Sequence, residues 1–460
     1  MNEHGDEIEA RDEDAYALDA RMVGEIVEAA DAGNAAALDA LLEPLHAADI
    51  ADLLEQISKG ERKRILAIWG GNIDGEVLSE LEEGVREQVL ASIAPADLAQ
   101  ALRDLDSDDV VDLVEDMDVP QQEAVLGALQ DADRFAVEQA LSYPEESAGR
   151  LMQREVVMAP EHWTVGQAID FLRASDDLPE QFYHMILVDP RTRPVGYVTL
   201  GRLLAARRAT KLMDLIEDSF RVIPADQDEG EVAYAFNQYH LISAPVVDAD
   251  ERLVGVITID DAMAVLDDEH EEDILRLAGV GEGSLTDRVI ETVRGRFPWL
   301  AVNLLTAILA SMVIAQYEAT ISQFVALAVL MPIVASMGGN AGTQSLTVAV
   351  RAIATKDLTG SNVWRVIRRE ALVGLVNGLI FAVVMGIVGL LWFGIPMLGV
   401  VIAVAMVVNL VVAGLAGVMV PVLLERWGVD PALASGAFVT TVTDIVGFFA
   451  FLGLAATVLL

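Results

Sequence analysis

Cysteine is absent from this chain of 460 residues, which excludes disulfides and thiolate metal sites and leaves the redox compartment unread. Lysine is almost as scarce, with Lys59, Lys63, Lys211 and Lys356 set against 26 arginines. The six histidines are scattered, and neither a Gly-x-x-x-x-Gly-Lys-[Ser/Thr] loop nor a His-Glu-x-x-His pair occurs, so a membrane enzyme built on either motif has no residues to carry it. The opening Met-Asn-Glu-His-Gly-Asp-Glu-Ile-Glu has no basic n-region and no apolar h-region. Nothing there directs export, and the polar part of the chain is expected in the cytoplasm.

What is present in excess is negative charge: 72 acidic against 30 basic residues, a net charge of −42. From Pro298 onward the chain is neutral, with six acids and six bases, so the whole excess lies in the first 297 residues. An apolar membrane domain therefore carries a strongly acidic polar region. The acidity argues against nucleic acid and anionic lipid head groups as partners and favours cations. Heavy Asp and Glu with little Lys is also what a protein of a salt-rich cytoplasm needs for solubility, so charge alone leaves cation sensing and salt adaptation open.

Apolar stretches at about 298–316, 324–350, 371–394, 397–424 and 434–460 each meet the roughly 20 residues a crossing helix requires. Arg288, Arg294 and Arg296 precede the first, Arg351, Lys356, Arg365, Arg368 and Arg369 lie between the second and third, and Arg426 follows the fourth. The other two connections hold no Lys or Arg. The positive-inside rule then puts the acidic region in the cytoplasm and the C-terminus outside. Trp299 and Trp427 stand near span ends, as interfacial anchors or as packing.

Asp444 is the only charged residue between Pro431 and Leu460. An aspartate deep in a span costs on the order of 2.5–3.5 kcal/mol on insertion scales, and such residues mark ion or proton paths more often than they serve packing within a bundle. Thr440, Thr441 and Thr443 add neutral oxygens in the same turn. In the second span, Pro332 and the run from Ser336 to Ser345 are too polar and glycine-rich for a lipid-facing helix, which suits the lining of a path. Gly338 and Gly342 also form a small-xxx-small pair that close helix packing would explain. Asn340 and Gln344 favour the path, and a two-fold dimer would bring two Asp444 side chains to one axis.

Within 151–270 a pattern recurs at an offset of 59, Leu187-Val-Asp-Pro-Arg-Thr-Arg-Pro-Val-Gly-Tyr-Val-Thr against Val246-Val-Asp-Ala-Asp-Glu-Arg-Leu-Val-Gly-Val-Ile-Thr. Each copy reads as strand, polar turn, strand and helix, and resembles one of a tandem pair of cystathionine-β-synthase (CBS) domains. Thr258 and Asp261 of the second copy match the residues such domains place around a ribose, implying an adenine nucleotide such as ATP, whereas the first copy has Arg202 in place of that Asp. A purely structural pair without ligand is the alternative. Residues from about 20 to 145 read as a stack of short amphipathic helices, and residues 1–19 as an acidic disordered tail.

Four motifs carry a wider resemblance: Asp49-Ile-Ala-Asp-Leu-Leu, Tyr143-Pro-Glu-Glu-Ser-Ala-Gly-Arg-Leu-Met, Glu272-Asp-Ile-Leu-Arg-Leu-Ala-Gly-Val, and Gly338-Gly-Asn-Ala-Gly-Thr-Gln paired with Thr440-Thr-Val-Thr-Asp-Ile-Val-Gly-Phe. Together they resemble the MgtE family of magnesium channels from about Ala20 to Leu460. The resemblance implies a multidomain fold: a helical N-terminal domain (20–145), CBS domains (146–207 and 208–261), a connecting helix and linker (262–297) and five transmembrane helices (298–460). It implies a homodimer passing Mg2+ inward, not an enzyme, with Asp444 matching the pore aspartate and Asn340 and Thr440 on pore-lining segments. It further places Asp261, Glu269, Glu272, Asp273 and Asp430, and more loosely Asp228, at acidic positions that sense cytosolic Mg2+ and close the path. Each could equally be a solvated surface carboxylate. A proton- or sodium-coupled divalent-cation exchanger is the competing class, although no second carboxylate lies deep in a span and no inverted repeat is visible.

Overall fold

The computed structural model describes residues 18–280 and 289–460, except 104, 176, 177, 180, 218 and 219. Nearly all of the expected acidic tail, and 281–288 of the expected linker, lie outside the described residues. The chain divides into two units, Met1–Asp267 and Asp268–Leu460.

Short helices open the first unit: α1 (Ala20–Asp31), α2 (Ala35–Leu42), α3 (Ala47–Gln56), α4 (Lys59–Trp69), α5 (Gly75–Ser79), α6 (Glu83–Leu90), α7 (Pro95–Ala101), α8 (Ser107–Glu115), α9 (Val119–Leu126) and α10 (Asp131–Ala140). They start where polar side chains can accept the first free N–H groups. Asp19 takes Arg21 N at 3.0 Å, Asn34 takes Ala37 N at 3.2 Å and Asp118 takes Gln121 N at 2.9 Å. His46 and Asp49 form a reciprocal capping box on α3. Contacts between helices two apart, α3 with α5, α7 with α9 and α8 with α10, build a one-dimensional stack around Ile26, Leu38, Leu53, Leu78, Leu98 and Leu113.

The motif at 143–152 joins this stack to the repeat. Within α11 (Ala148–Leu151), Ala148 N and Gly149 N donate to Gln227 O and Ala225 O at 2.7 and 2.8 Å. A Cβ at Gly149 would fall 2.4 Å from the Tyr143 ring, so only glycine fits there. Arg150 pairs with Glu115 of α8 and donates to Tyr143 O at 3.0 Å.

The repeat then follows as β1 (Met158–Pro160), α12 (Val165–Ala174), β2 (His184–Val188), β3 (Pro194–Thr199) and α13 (Leu200–Ala205), and again as β4 (Ile223–Pro224), α14 (Glu229–Tyr239), β5 (Ser243–Val247), β6 (Leu253–Thr258) and α15 (Ile259–Leu277). Each three-stranded sheet has its first pair parallel and its second antiparallel. The sequence offset is repeated in register: His184 faces Thr199 and Ser243 faces Thr258. It is repeated in the turns as well, where Asp189 Oδ1 accepts from the amides of Arg191 and Arg193, and Asp248 Oδ1 from those of Asp250 and Arg252. Thr192 and Glu251 take φ of 60° and 63° at equivalent places. His184 Nδ1 meets Ser243 Oγ, its counterpart in the other copy, at 2.5 Å, and burial pushes the imidazole down to about 4.

In the second unit α16 (Val289–Ala315), α17 (Glu318–Gln323), α18 (Ala326–Ala354), α19 (Val363–Phe393), α20 (Pro396–Arg426) and α21 (Pro431–Val458) follow. Five helices are long and apolar enough to cross a bilayer: Thr292–Ala315, Ala326–Ala354, Val363–Phe393, Pro396–Arg426 and Gly436–Val458. The first and third begin before the expected 298 and 371, because the helix continues through Arg294 and Arg296 in one and Arg365, Arg368 and Arg369 in the other. Likewise α15 starts at Ile259 rather than 262, directly from β6, and its acidic run 267–273 is helical.

Helix α20 is the most buried of the five and packs on α18, α19 and α21. A bilayer gives apolar helices no hydrophobic reason to associate, so close backbone approach must supply the attraction. A Cβ at Gly374 would lie 2.4 Å from Leu410 O, one at Gly378 2.9 Å from Val407 Cα, and one at Gly399 2.7 Å from Gly386 O. Gly374→Val should force α19 off α20 and destabilise the protein by about 1–3 kcal/mol. Gly295→Ala, whose added methyl meets nothing within 4 Å, should not. Thermal unfolding in detergent compares them; equal midpoints would refute the close-packing account.

Candidate functional site

Helix α21 presents Thr440 and Asp444 one turn apart, both half-buried. The Asp444 carboxylate makes no hydrogen bond or ion pair with any described residue, so packing within one chain does not account for it. Thr440 Oγ1 donates to Gly436 O at 2.9 Å, which spends its proton and leaves its lone pairs outward. The polar segment of α18 packs against this turn: a Cβ at Gly339 would lie 4.0 Å from the Thr440 methyl, and one at Gly342 2.6 Å from Val439 Cγ1. Asn340 is exposed beside it, its Nδ2 3.4 Å from Ser336 Oγ. The segment packs closely on α21 through Gly342, and on another face it carries the exposed Asn340 amide.

Sequence reading passed over Asn409 of α20. It is fully buried, donates Nδ2 to Val334 O at 2.8 Å, and is pressed between Gly338 and Gly447, while its Oδ1 has no partner. An Asn inside an otherwise apolar span was the signal that could have found it.

The acidic candidates separate into groups. At the end of α15, Arg276 pairs with Glu272 at 2.6 Å and with Asp430 at 3.6 Å, and Asp273 lies near Asp430. Burial first, and Asp430 second, push the Asp273 carboxyl up. Asp430 also caps α21, accepting Ala432 N at 2.7 Å. Leu277 packs with Leu346, Val439 and Val442, and its carbonyl lies 4.0 Å from where a Cβ of Gly436 would be. The last turn of α15 thus rests on the beginning of the helix that carries Thr440 and Asp444. Glu269 is exposed on α15, and Asp228 caps α14 by accepting Glu231 N at 3.1 Å, apart from the other candidates.

Asp261 has different company. It accepts from Thr258 Oγ1 at 2.6 Å and Thr258 N at 3.3 Å at the start of α15, and faces Asp108 of α8 closely enough to share a hydrogen bond. Asp109 stands beside them. Burial is the largest influence on all three; the charge of Asp261 adds to it for Asp108 and Asp109, while hydrogen bonds from Thr258 and Asp108 hold Asp261 back: Asp108 rises well above the carboxylate range, Asp109 to about 7, and Asp261 also rises. The sequence offered no sign of Asp108 and Asp109, two acids among many on an amphipathic helix. The donor chemistry, carboxylates with a threonine hydroxyl, fits a hard cation. Among the described residues, no three His, Asp or Glu side chains converge as a finished metal site.

Family models match this geometry unit by unit. The model described as "MgtE: Divalent cation transporter" matches 331–454, that of the MgtE intracellular N domain matches 45–146, and CBS domains match 148–209 and 212–268. The magnesium transporter MgtE of Bacillus subtilis is 30% identical over 418 residues, which cover 90% of this chain and 92% of that one. The chain belongs to the MgtE family. The magnesium transporter MgtE of Thermus thermophilus is 32% identical over 449 residues, 96% of this chain and 99% of that one. A solved cytosolic domain of the Mg2+ channel MgtE in complex with ATP is 30% identical, covers 53% of this chain and 99% of that one, and superimposes with a TM-score of 0.48. The N-terminal helical domain, CBS pair and apolar helices are those expected of a membrane protein of this family, whose named relatives are transporters.

The sign of the acid cluster's pH dependence follows from the raised carboxyls. Between about pH 4 and 7 the folded state binds more protons than the unfolded chain, so stability falls as pH rises through that window and returns as pH is lowered. Asp108→Asn with Asp109→Asn should flatten this fall and raise the thermal midpoint at pH 7.5 in chelator. A midpoint profile unchanged from wild type would mean the carboxyls are not in repulsive contact.

Proposed function

We propose that the chain is a Mg2+ channel of the cytoplasmic membrane, importing the ion passively and closing when cytosolic Mg2+ binds its acidic groups. One observation carries the reading: Asp444, a carboxylate within the fifth apolar helix, has no described protein partner and lies one turn from Thr440, beside the polar segment of α18. Mg2+ gives up its water reluctantly and is held by one or two carboxylates, so an ion that keeps its shell needs little more than Asp444, Thr440 and the Asn340 amide. In a homodimer two such sets would meet on the two-fold axis. That the relatives are named magnesium transporters supports Mg2+ as the cargo.

The basic connections orient the protein with its N-terminal domains in the cytoplasm and its C-terminus outside. Closure acts at the junction of α15 with α21. Arg276 supplies one positive charge among Glu272, Asp273 and Asp430. Divalent ions joining these acids and Glu269, and replacing protons among Asp108, Asp109 and Asp261, favour the compact closed state by mass action. Asp228 is a further acid of this kind on α14. Thr258 and Asp261 are the residues to which an adenine nucleotide such as ATP would bind in the CBS pair, in competition with the pairing of Asp261 to Asp108.

In liposomes loaded with little Mg2+ and no pH gradient, the wild-type protein should take up Mg2+ along its gradient and the membrane potential. Asp444→Ala should reduce that uptake by at least about 100-fold, on the order of 3 kcal/mol, with the assembly intact by size exclusion. Uptake only when a proton or sodium gradient is imposed would replace the channel by the coupled exchanger, and unaltered flux in Asp444→Ala would remove the pore assignment. Separately, neutralising Glu269, Glu272 and Asp273 together should leave flux high at millimolar cytosolic-side Mg2+. Closure at the wild-type concentration would refute the sensing role of that turn.

A further inference from the structure

Arg365, Arg368 and Arg369 stand at i, i+3 and i+4 on the first turns of α19, and Leu372, Val373 and Val376 continue the same face. With Asn377 these six line a groove of about 470 Å³. All six are exposed. None of the three arginines forms an ion pair with a described residue, in a chain that has 72 acids for 30 bases and pairs its arginines at 21, 64, 86, 134, 150, 193, 202, 208, 252 and 276. The one acid beside them, Glu370, is turned the other way and accepts from Ser345 Oγ of α18 at 2.9 Å.

Their depth follows from helix length. Trp364 is 68% exposed next to Arg365, and Trp392 is 62% exposed at the far end of the same helix. The 28 residues between them span about 42 Å, the thickness of a bilayer with its head groups, about 40–45 Å. Exposed tryptophans at both ends match the two interfaces, so the arginines lie in one head-group layer and Leu372, Val373 and Val376 enter the acyl region.

We propose that this groove binds an anionic phospholipid, its phosphate held by the forks of Arg365, Arg368 and Arg369 and an acyl chain lying along Leu372, Val373 and Val376. Planar guanidinium groups match phosphate oxygens two at a time, and a basic recess beside an apolar stripe selects an acidic head group attached to a chain. The net charge of −42 does not oppose this, because all of it precedes Pro298. The leaflet concerned is the inner one if the orientation proposed above holds; the binding itself does not depend on it.

The test is lipid retention by the full-length protein in detergent, read by native mass spectrometry with phosphatidylglycerol and phosphatidylcholine of identical chains. Wild type should retain phosphatidylglycerol by at least about tenfold over phosphatidylcholine. R365Q/R368Q/R369Q should bring the ratio to within about twofold, whereas R351Q, on the preceding helix outside the groove, should leave it unchanged. Equal retention of both lipids by wild type would overturn the proposal and leave the arginines to an acidic protein surface. A preference that persists in the triple variant, or falls equally in R351Q, would also overturn it. So would displacement of the lipid by millimolar glycerol phosphate, which would make this a site for soluble phosphate. If the triple variant does not survive purification, R368Q is read in the same way. No ion flux enters the measurement, so its outcome is independent of the transport reading.

Discussion

Carboxylates that a fold holds close together, with no cation between them, repel one another and weaken the arrangement that collects them. Each unit of this chain contains such a group. Asp108, Asp109 and Asp261 meet where the helical stack adjoins the second CBS copy; burial pushes all three carboxyls upward, and the charge of Asp261 adds to this for Asp108 and Asp109. Asp273 and Asp430 meet where α15 ends, and there the chain supplies a counter-ion of its own in Arg276. The contrast has a consequence. In the second group Arg276 offsets part of the repulsion, while Asp108 and Asp109 have no cationic partner among the described residues, so the contact between the stack and the CBS pair weakens as its carboxyls ionise.

The membrane unit solves a different problem with different residues. Its spans cannot be held by burial of apolar surface, since lipid tails are as apolar as the side chains. Glycines at 374, 378, 399, 414 and 417 let helices approach to distances a methyl group would prevent. Asn409 adds a polar lock, tying α20 to Val334 O on α18 just where Gly338 and Gly447 leave room for it. That lock fixes α18 at the start of its polar segment and α21 one turn beyond Asp444. Asp444 and the polar segment of α18 are therefore held in place by a fully buried amide.

Much of this was legible from residue order. Five spans follow from hydropathy, the CBS pair from a repeat that reappears as identical register and identical turn geometry, and Asp444 from the cost of a charge in an apolar helix. The helix ends were less legible. Arg365, Arg368 and Arg369 read as a basic loop but lie on α19, because hydropathy measures immersion in lipid and a helix continues beyond the bilayer. Residues 262–279 read as a separate connector, but α15 grows directly out of β6, where Asp261 accepts from Thr258 N and Oγ1. Asp108 and Asp109 were invisible because nothing distinguishes two acids among 72 until the fold buries them against a third. Arg276 was inside a recognised motif, yet its task as a counter-ion depends on Asp430, which is distant in sequence.

Asp430 links these observations. It is at once the cap of α21 and a partner of Arg276, so the start of the helix bearing Asp444 shares a hydrogen-bonding group with the end of α15. A cation that draws Asp430 Oδ2 away from Arg276 acts on the carboxylate whose Oδ1 holds Ala432 N. Because α21 is a continuous helix, a shift at its cap is carried along its length, and Asp444 is 14 residues on, about 21 Å away. Leu277 packs against the buried cluster that includes Leu346 and Val439, which makes the junction a close-packed one. In the proposed channel one sensing acid, Asp430, and the acid that holds the ion stand on opposite stretches of one helix, so coupling between these two needs no relay through the rest of the fold.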